Sequence, residues 1–125
     1  RLQLVQPLTK AFQGKVYVVC NGLTVDAGAA FVMMAKRSGR ATIIGEETGS
    51  NAVSFCGGRS LQVALPSTGC ILNVPLTRYV PAGTAGGAVD RGEMPDHPAG
   101  ELPSDMAKGK DTVREALLEL IMELQ

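Results

Sequence analysis

The sequence predicts an α/β domain, and three observations carry that expectation. Two β-branched apolar runs, Lys15–Cys20 (KVYVVC) and Arg40–Gly45 (RATIIG), flank a segment with helical spacing. Strand, helix and strand within about 30 residues make a right-handed βαβ unit with parallel strands. Further on, an alternating segment and an apolar partner flank Pro66-Ser67-Thr68-Gly69, as an antiparallel hairpin would. The chain then ends in an amphipathic helical pattern. With 125 residues, 45% of them apolar, it fits one domain, residues 1–125, able to bury a core.

Taken in order, Leu2, Leu4, Val5, Leu8 and Phe12 have the spacing of a short amphipathic helix that Pro7 would interrupt. Lys15–Cys20 reads as a fully buried strand, bounded by Gly14 and by Asn21-Gly22. Asp26–Ser38 reads as a helix with Ala27, Ala30, Phe31, Met34 and Ala35 on one face and Met34 as core filling. Lys36 and Arg37 in its last turn and Gly39 beyond it suit a helix end. Arg40–Gly45 is the second buried strand. Leu61–Leu65 and Cys70–Leu76 are the hairpin strands, with Gly57-Gly58 as a bulge rather than a phosphate-binding nest. Val80–Gly100 is rich in Gly and Pro and is expected to be a long surface loop, its GTAGG (83–87) lacking the strand and helix of a dinucleotide fingerprint. In the final helix, Asp111–Gln125, Thr112 and Glu115 form a capping box, and Val113, Ala116, Leu117, Leu120, Ile121 and Leu124 line one face.

Twelve basic and twelve acidic residues leave no net charge, so nothing points to nucleic acid or an anionic membrane. No apolar run approaches the ~20 residues that span a bilayer. Cys20, Cys56 and Cys70 lack metal-ligand spacing, and an odd count leaves one disulfide open, so they assign no compartment. Cys20 reads as a small buried hydrophobe. The chain opens on Arg1, not Met, and reads as a piece of something longer.

The chemistry concentrates at Cys20-Asn21-Gly22-Leu23-Thr24-Val25-Asp26-Ala27, where a strand gives way to a helix. Such a junction exposes one side chain beside the free N–H groups of the helix's first turn. A serine there could attack a carbonyl while the next residue's N–H holds the oxyanion. This chain has Asp26 at that position.

The strings Gly14-Lys15-Val16-Tyr17-Val18-Val19, Asn21-Gly22-Leu23-Thr24 and Gly39-Arg40-Ala41-Thr42-Ile43-Ile44-Gly45-Glu46-Glu47-Thr48-Gly49 resemble the tail-specific (C-terminal processing) and tricorn-type serine peptidases. So do Leu65-Pro66, Val74-Pro75-Leu76 and Gly92-Glu93-Met94-Pro95-Asp96. The resemblance covers most of residues 12–100. It implies the C-terminal part of a catalytic domain with the Clp-protease and crotonase fold. It also implies peptide-bond hydrolysis in proteins or peptides, no metal or organic cofactor, and a periplasmic or extracellular setting. A homo-oligomer stays open.

The departures fall on the catalytic positions. The family opens its helix with Thr-x-Ser-Ala, whose serine is the nucleophile; Asp26 stands there. A family glutamate three residues on is Ala29, and the general-base lysine of the tail-specific branch falls at Asn51, which cannot take a proton at neutral pH. The upstream histidine of the tricorn-type branch, and the upstream glycine-rich half of the oxyanion hole, are absent from this chain. Ala27 keeps its place as an oxyanion N–H donor. A carboxylate attacking a peptide would give an anhydride, so Asp26 reads as a helix N-cap worth roughly 1 kcal/mol. Asp90 is a candidate orienter of a base, Asp96 a loop staple and His97 an exposed loop histidine.

The expected function is thus a serine-type peptidase domain without activity in this chain. The alternative is a non-catalytic module that holds an extended peptide by strand addition. A crotonase-type acyl-CoA enzyme shares the fold but would need a basic cluster for the CoA phosphates, and none is present.

Overall fold

The computed structural model describes residues 8–51, 53–81 and 89–123. Strand β1 (Val16–Cys20) leads through a turn into helix α1 (Ala27–Arg37), and α1 returns the chain to β2 (Ala41–Gly45). The two strands pair in parallel, Val16 opposite Ala41 and Cys20 opposite Gly45, as the βαβ pattern requires. Strands β3 (Phe55–Ala64) and β4 (Ile71–Tyr79) form an antiparallel hairpin. β5 (His97–Pro98), α2 (Pro103–Met106) and α3 (Thr112–Glu123) complete the chain. The architecture is therefore mixed α/β: a three-stranded parallel sheet in the order β1-β2-β5, a separate hairpin and a C-terminal helix.

The core gathers where α1 crosses the sheet: Cys20, Val32 and Ile43 are buried together, with Val18 and Ala41 against them. The buried residues of α1 are Ala29, Ala30, Val32 and Met33, while Phe31 is 57% and Met34 52% exposed. Of the expected face, Ala30 is buried and Ala35 half-buried, but Ala27, Phe31 and Met34 are exposed, and Met33, not Met34, fills the core at 2% exposure. The segment is apolar all round, so its hydrophobic pattern could not choose a face. β1 is not fully buried either: only Cys20 is, and Val19 is 50% exposed. β1 lies at one end of the strand order and keeps one edge unpaired among the described residues.

The expected loop over 80–100 contains the third strand. Ile44 pairs with His97 and Gly45 with Pro98, and N–H groups of Asp96 and Ala99 donate to Ile43 and Gly45 carbonyls. His97 is exposed, but in a strand. Residues 83–87 lie outside the described residues. The Asp96 carboxylate accepts a bond from the Ile43 N–H at 2.9 Å and sits 3.3 Å from Lys36 Nζ on α1. Burial disfavours its charge, but the Ile43 N–H and Lys36 outweigh that and hold its pKa below the aspartate range. Its stabilisation is therefore present above the unfolded-state pKa and lost as the pH falls through the lower folded one. Asp96→Ala is expected to cost roughly 1–3 kcal/mol near neutral pH by leaving the Ile43 N–H unpaired. Urea unfolding at pH 7 and at pH ~3 checks this: the difference from the parent chain shrinks in acid. An unchanged difference would count against an ionised staple.

The hairpin stands out as an arm. The Gly57-Gly58 bulge is present, with a register shift between Gly57 and Ser60. Phe55 and Tyr79 stack at its root, ring centroids 5.2 Å apart. From Gly58 onward every residue of both strands is exposed. Alternation puts Leu61, Val63, Leu72, Val74 and Leu76 on one face.

Two further expectations fail at the helices. In residues 8–14 the chain makes a turn closed by the Ala11 N–H on the Leu8 carbonyl, not a helix; residues 1–7 lie outside the described residues. At α3 the cap is Asp111, whose Oδ1 accepts from the Arg114 N–H at 2.8 Å. Thr112 Oγ1 bonds Asp105 instead, and Glu115 pairs with Lys110, so no capping box forms. Val113, Ala116, Leu117, Leu120 and Ile121 are half-buried on the expected face, and Leu124 lies outside the described residues.

Candidate functional site

The junction between β1 and α1 is built by local bonds. Asn21 Oδ1 accepts from the Leu23 N–H, the Asn21 N–H donates to Thr24 Oγ1, and the Thr24 N–H donates to the Asn21 carbonyl. These close a tight turn at the C-terminal end of β1, where parallel sheets place their sites. The first turn of α1 follows: Gly28 N–H donates to Val25 O, and Ala30 N–H to Asp26 O.

Asp26 occupies the N-cap position with φ 49° and ψ −115°. It is the only non-glycine residue with positive φ among the described residues. An ordinary N-cap has extended backbone and a side chain bonded to the first turn. Asp26 has neither, since no side-chain cap bond forms. The structural-cap expectation is therefore corrected: the backbone is turned the wrong way for the carboxylate to reach the first-turn N–H groups. Its φ and ψ together lie outside the regions open to L-residues, a cost of order 1–3 kcal/mol that persists only when the surroundings impose it.

The surroundings that impose it come from the chain leaving β2. Gly49 donates its N–H to the Thr24 carbonyl at 3.0 Å. A Cβ on Gly49 would lie 2.0 Å from the Gly22 carbonyl, so the two backbones touch. Ser50 then reaches over, and its Oγ accepts the Asp26 N–H at 2.6 Å. Behind this clasp, buried Thr48 receives the Glu93 N–H on its Oγ1 at 2.8 Å and donates its own N–H to the Glu93 carbonyl. Glu47 accepts from the Gly92 N–H and from Arg91, and these bonds hold its carboxyl below the usual glutamate range. Lys36, donating to Met94 O and paired with Glu93 and Asp96, ties the same segment to α1.

Ala27 follows Asp26 at the exposed start of the helix, and its N–H has no acceptor among the described residues. Asp90 lines an open, polar cleft of about 440 Å³ together with Ser50, Asn51 and Arg91, so the structure brings it to the segment that clasps Asp26. Asn51 serves a turn: its Oδ1 accepts from the Val53 and Ser54 N–H groups at 2.9 and 2.8 Å. Ala29 is buried against the core. His97 lines a different cleft, of about 220 Å³, with Glu119, Leu120 and Glu123 of α3. It takes no part in the Asp26 surroundings.

The three cysteines are free. Cys20 is buried and donates to the Glu46 carbonyl; burial raises its pKa, which suits packing and not reactivity. Among the described residues no group of His, Cys, Asp and Glu could hold a metal, and no helix is long and apolar enough to cross a membrane. Ser50 is the residue that sequence reasoning missed; a serine in a Gly-Ser-Asn loop carries no pattern of its own. The chain matches no protein-family model and no curated protein.

Proposed function

We propose that this chain carries the strand-to-helix elbow of a serine-peptidase-like acyl-transfer site in which Asp26 has taken the nucleophile position, and that the chain does not turn over peptides. The observation that carries the reading is the strained backbone of Asp26 beside an Ala27 N–H that has no acceptor among the described residues. A nucleophile elbow uses such a turn to lift one side chain clear of the sheet. An ordinary helix start has no use for it. The resemblance of Lys15–Gly49 to the tail-specific and tricorn-type peptidases supports the same placement. The chemistry explains the inactivity: a carboxylate at position 26 would repel a developing oxyanion at Ala27 and yield an anhydride with a peptide. Asn51 supplies no base.

Restoring the pair tests this. The variant Asp26→Ser with Asn51→Lys is expected to react with a serine-directed fluorophosphonate at least ~100-fold faster than Asp26→Ser alone, the usual scale of general-base assistance. Intact mass and peptide mapping place the adduct on residue 26. Absence of labelling in a double variant whose Ile43, Ile44 and Ser54 amides exchange as in the parent overturns the elbow reading, as does peptide turnover by the native chain that Asp26→Ala abolishes.

The edge of β1 that is unpaired among the described residues favours a second reading, a module that holds an extended peptide by strand addition without cleaving it. Calorimetry would then show binding with no product formed.

A further inference from the structure

We infer that Ser50 is a positioning residue of this site: its hydroxyl, by accepting the Asp26 N–H, fixes the strained turn and so sets the direction of side chain 26 and of the Ala27 N–H. The inference rests on the elbow reading above for its catalytic consequence, but not for its geometry.

Three observations carry it. The Asp26 N–H to Ser50 Oγ bond is 2.6 Å long and joins residues 24 apart in sequence. It meets the one non-glycine residue with positive φ among the described residues. A strained conformation needs such external contacts to persist. Finally, Ser50 is itself held: its carbonyl accepts Thr48 Oγ1 at 3.1 Å, and the preceding Gly49 is bonded to Thr24 on the other side of the elbow. The loop thus grips the junction at two points, Thr24 and Asp26, two residues apart. With the hydroxyl gone, the Thr24 contact remains and the Val25 carbonyl still accepts the Gly28 N–H, but the Asp26 N–H of that same peptide plane loses its partner. The plane is then held from its carbonyl side alone, and any tilt about that bond moves both groups that an acyl-transfer site must keep aimed.

Two measurements test this on the full chain. In the native sequence, amide exchange of Asp26 followed by NMR is expected to speed up roughly tenfold in Ser50→Ala, the scale of one lost hydrogen bond. Ile43 and Ile44 amides, in the sheet, should be unchanged and serve as the check on folding. Ser50→Cys keeps most of the volume but accepts poorly and should behave like alanine; Ser50→Thr keeps the hydroxyl and should behave like the parent. In the Asp26→Ser, Asn51→Lys background, Ser50→Ala should slow fluorophosphonate labelling by roughly 10- to 100-fold, as a misaimed reacting group does, and Ser50→Thr should restore it. Unchanged Asp26 exchange in Ser50→Ala and Ser50→Cys overturns the inference. Faster exchange with undiminished labelling also overturns it, since the bond would then be present without aiming anything. Where the double variant never labels, the elbow reading fails by itself, and the Asp26 exchange still decides whether Ser50 holds the turn.

Discussion

Asp26→Gly is expected to be more stable than Asp26→Ala by about 1–2 kcal/mol, or roughly 3–8 °C in melting temperature for a chain of this size. Both substitutions remove the same carboxylate, so any effect of its charge on the helix dipole cancels. What differs is the backbone. Alanine at φ 49° and ψ −115° keeps the strain that Asp26 bears, whereas glycine reaches that region freely. Glycine returns part of the gain through the greater entropy of its unfolded chain, which is why the full strain is not recovered. A capping aspartate predicts something else: alanine would cost about 1 kcal/mol and glycine a few tenths, so both variants would fall below the parent, whereas relief of strain lifts glycine above it. Thermal unfolding of the three proteins separates the cases. If alanine equals or exceeds glycine, position 26 is unstrained and the elbow loses its main support.

Gly45→Ala is expected to cost roughly 3–5 kcal/mol, enough to threaten folding. Gly45 closes β2 at φ 122°, and a Cβ there would sit 2.0 Å from the Cys20 carbonyl oxygen. That oxygen is no bystander, since it accepts the Glu46 N–H at 2.9 Å. Strand β1 would have to separate from β2 at the end from which the Asp26 turn departs. Denaturant unfolding measures the loss, and a cost below about 1 kcal/mol would mean that the two strands give way easily there.

The βαβ unit was legible because Val16, Val18, Val19, Ile43 and Ile44 are β-branched and their runs sit between glycines and asparagine, so local chemistry and long-range pairing agree. The hairpin and its bulge were legible for the same reason, with Gly57-Gly58 and Gly69 marking the irregular points. The buried face of α1 was hidden because Ala29, Ala30, Phe31, Val32, Met33 and Met34 leave no polar side to point outward. Strand β5 was hidden for another reason. Two residues show no period, and what holds them to β2 is the pairing of His97 and Pro98 together with the Asp96 side chain, which read only as turn chemistry. At the site, the position of Asp26 was readable and its conformation was not. A positive φ on aspartate leaves no trace in composition when the contacts that force it come from Gly49 and Ser50, some two dozen residues on.

The β3–β4 arm bears on how all of these measurements behave. Its strands bond to each other, its outer residues are exposed, and it meets the body mainly through α1. A two-stranded ribbon without cover is marginal by itself. Its amides can therefore open and reclose while β1 and β2 stay paired, which makes the arm a cooperative unit of its own. A fluorescence or exchange signal from Tyr79 or its neighbours reports the arm, whereas one from Ile43 or Cys20 reports the sheet that carries the elbow.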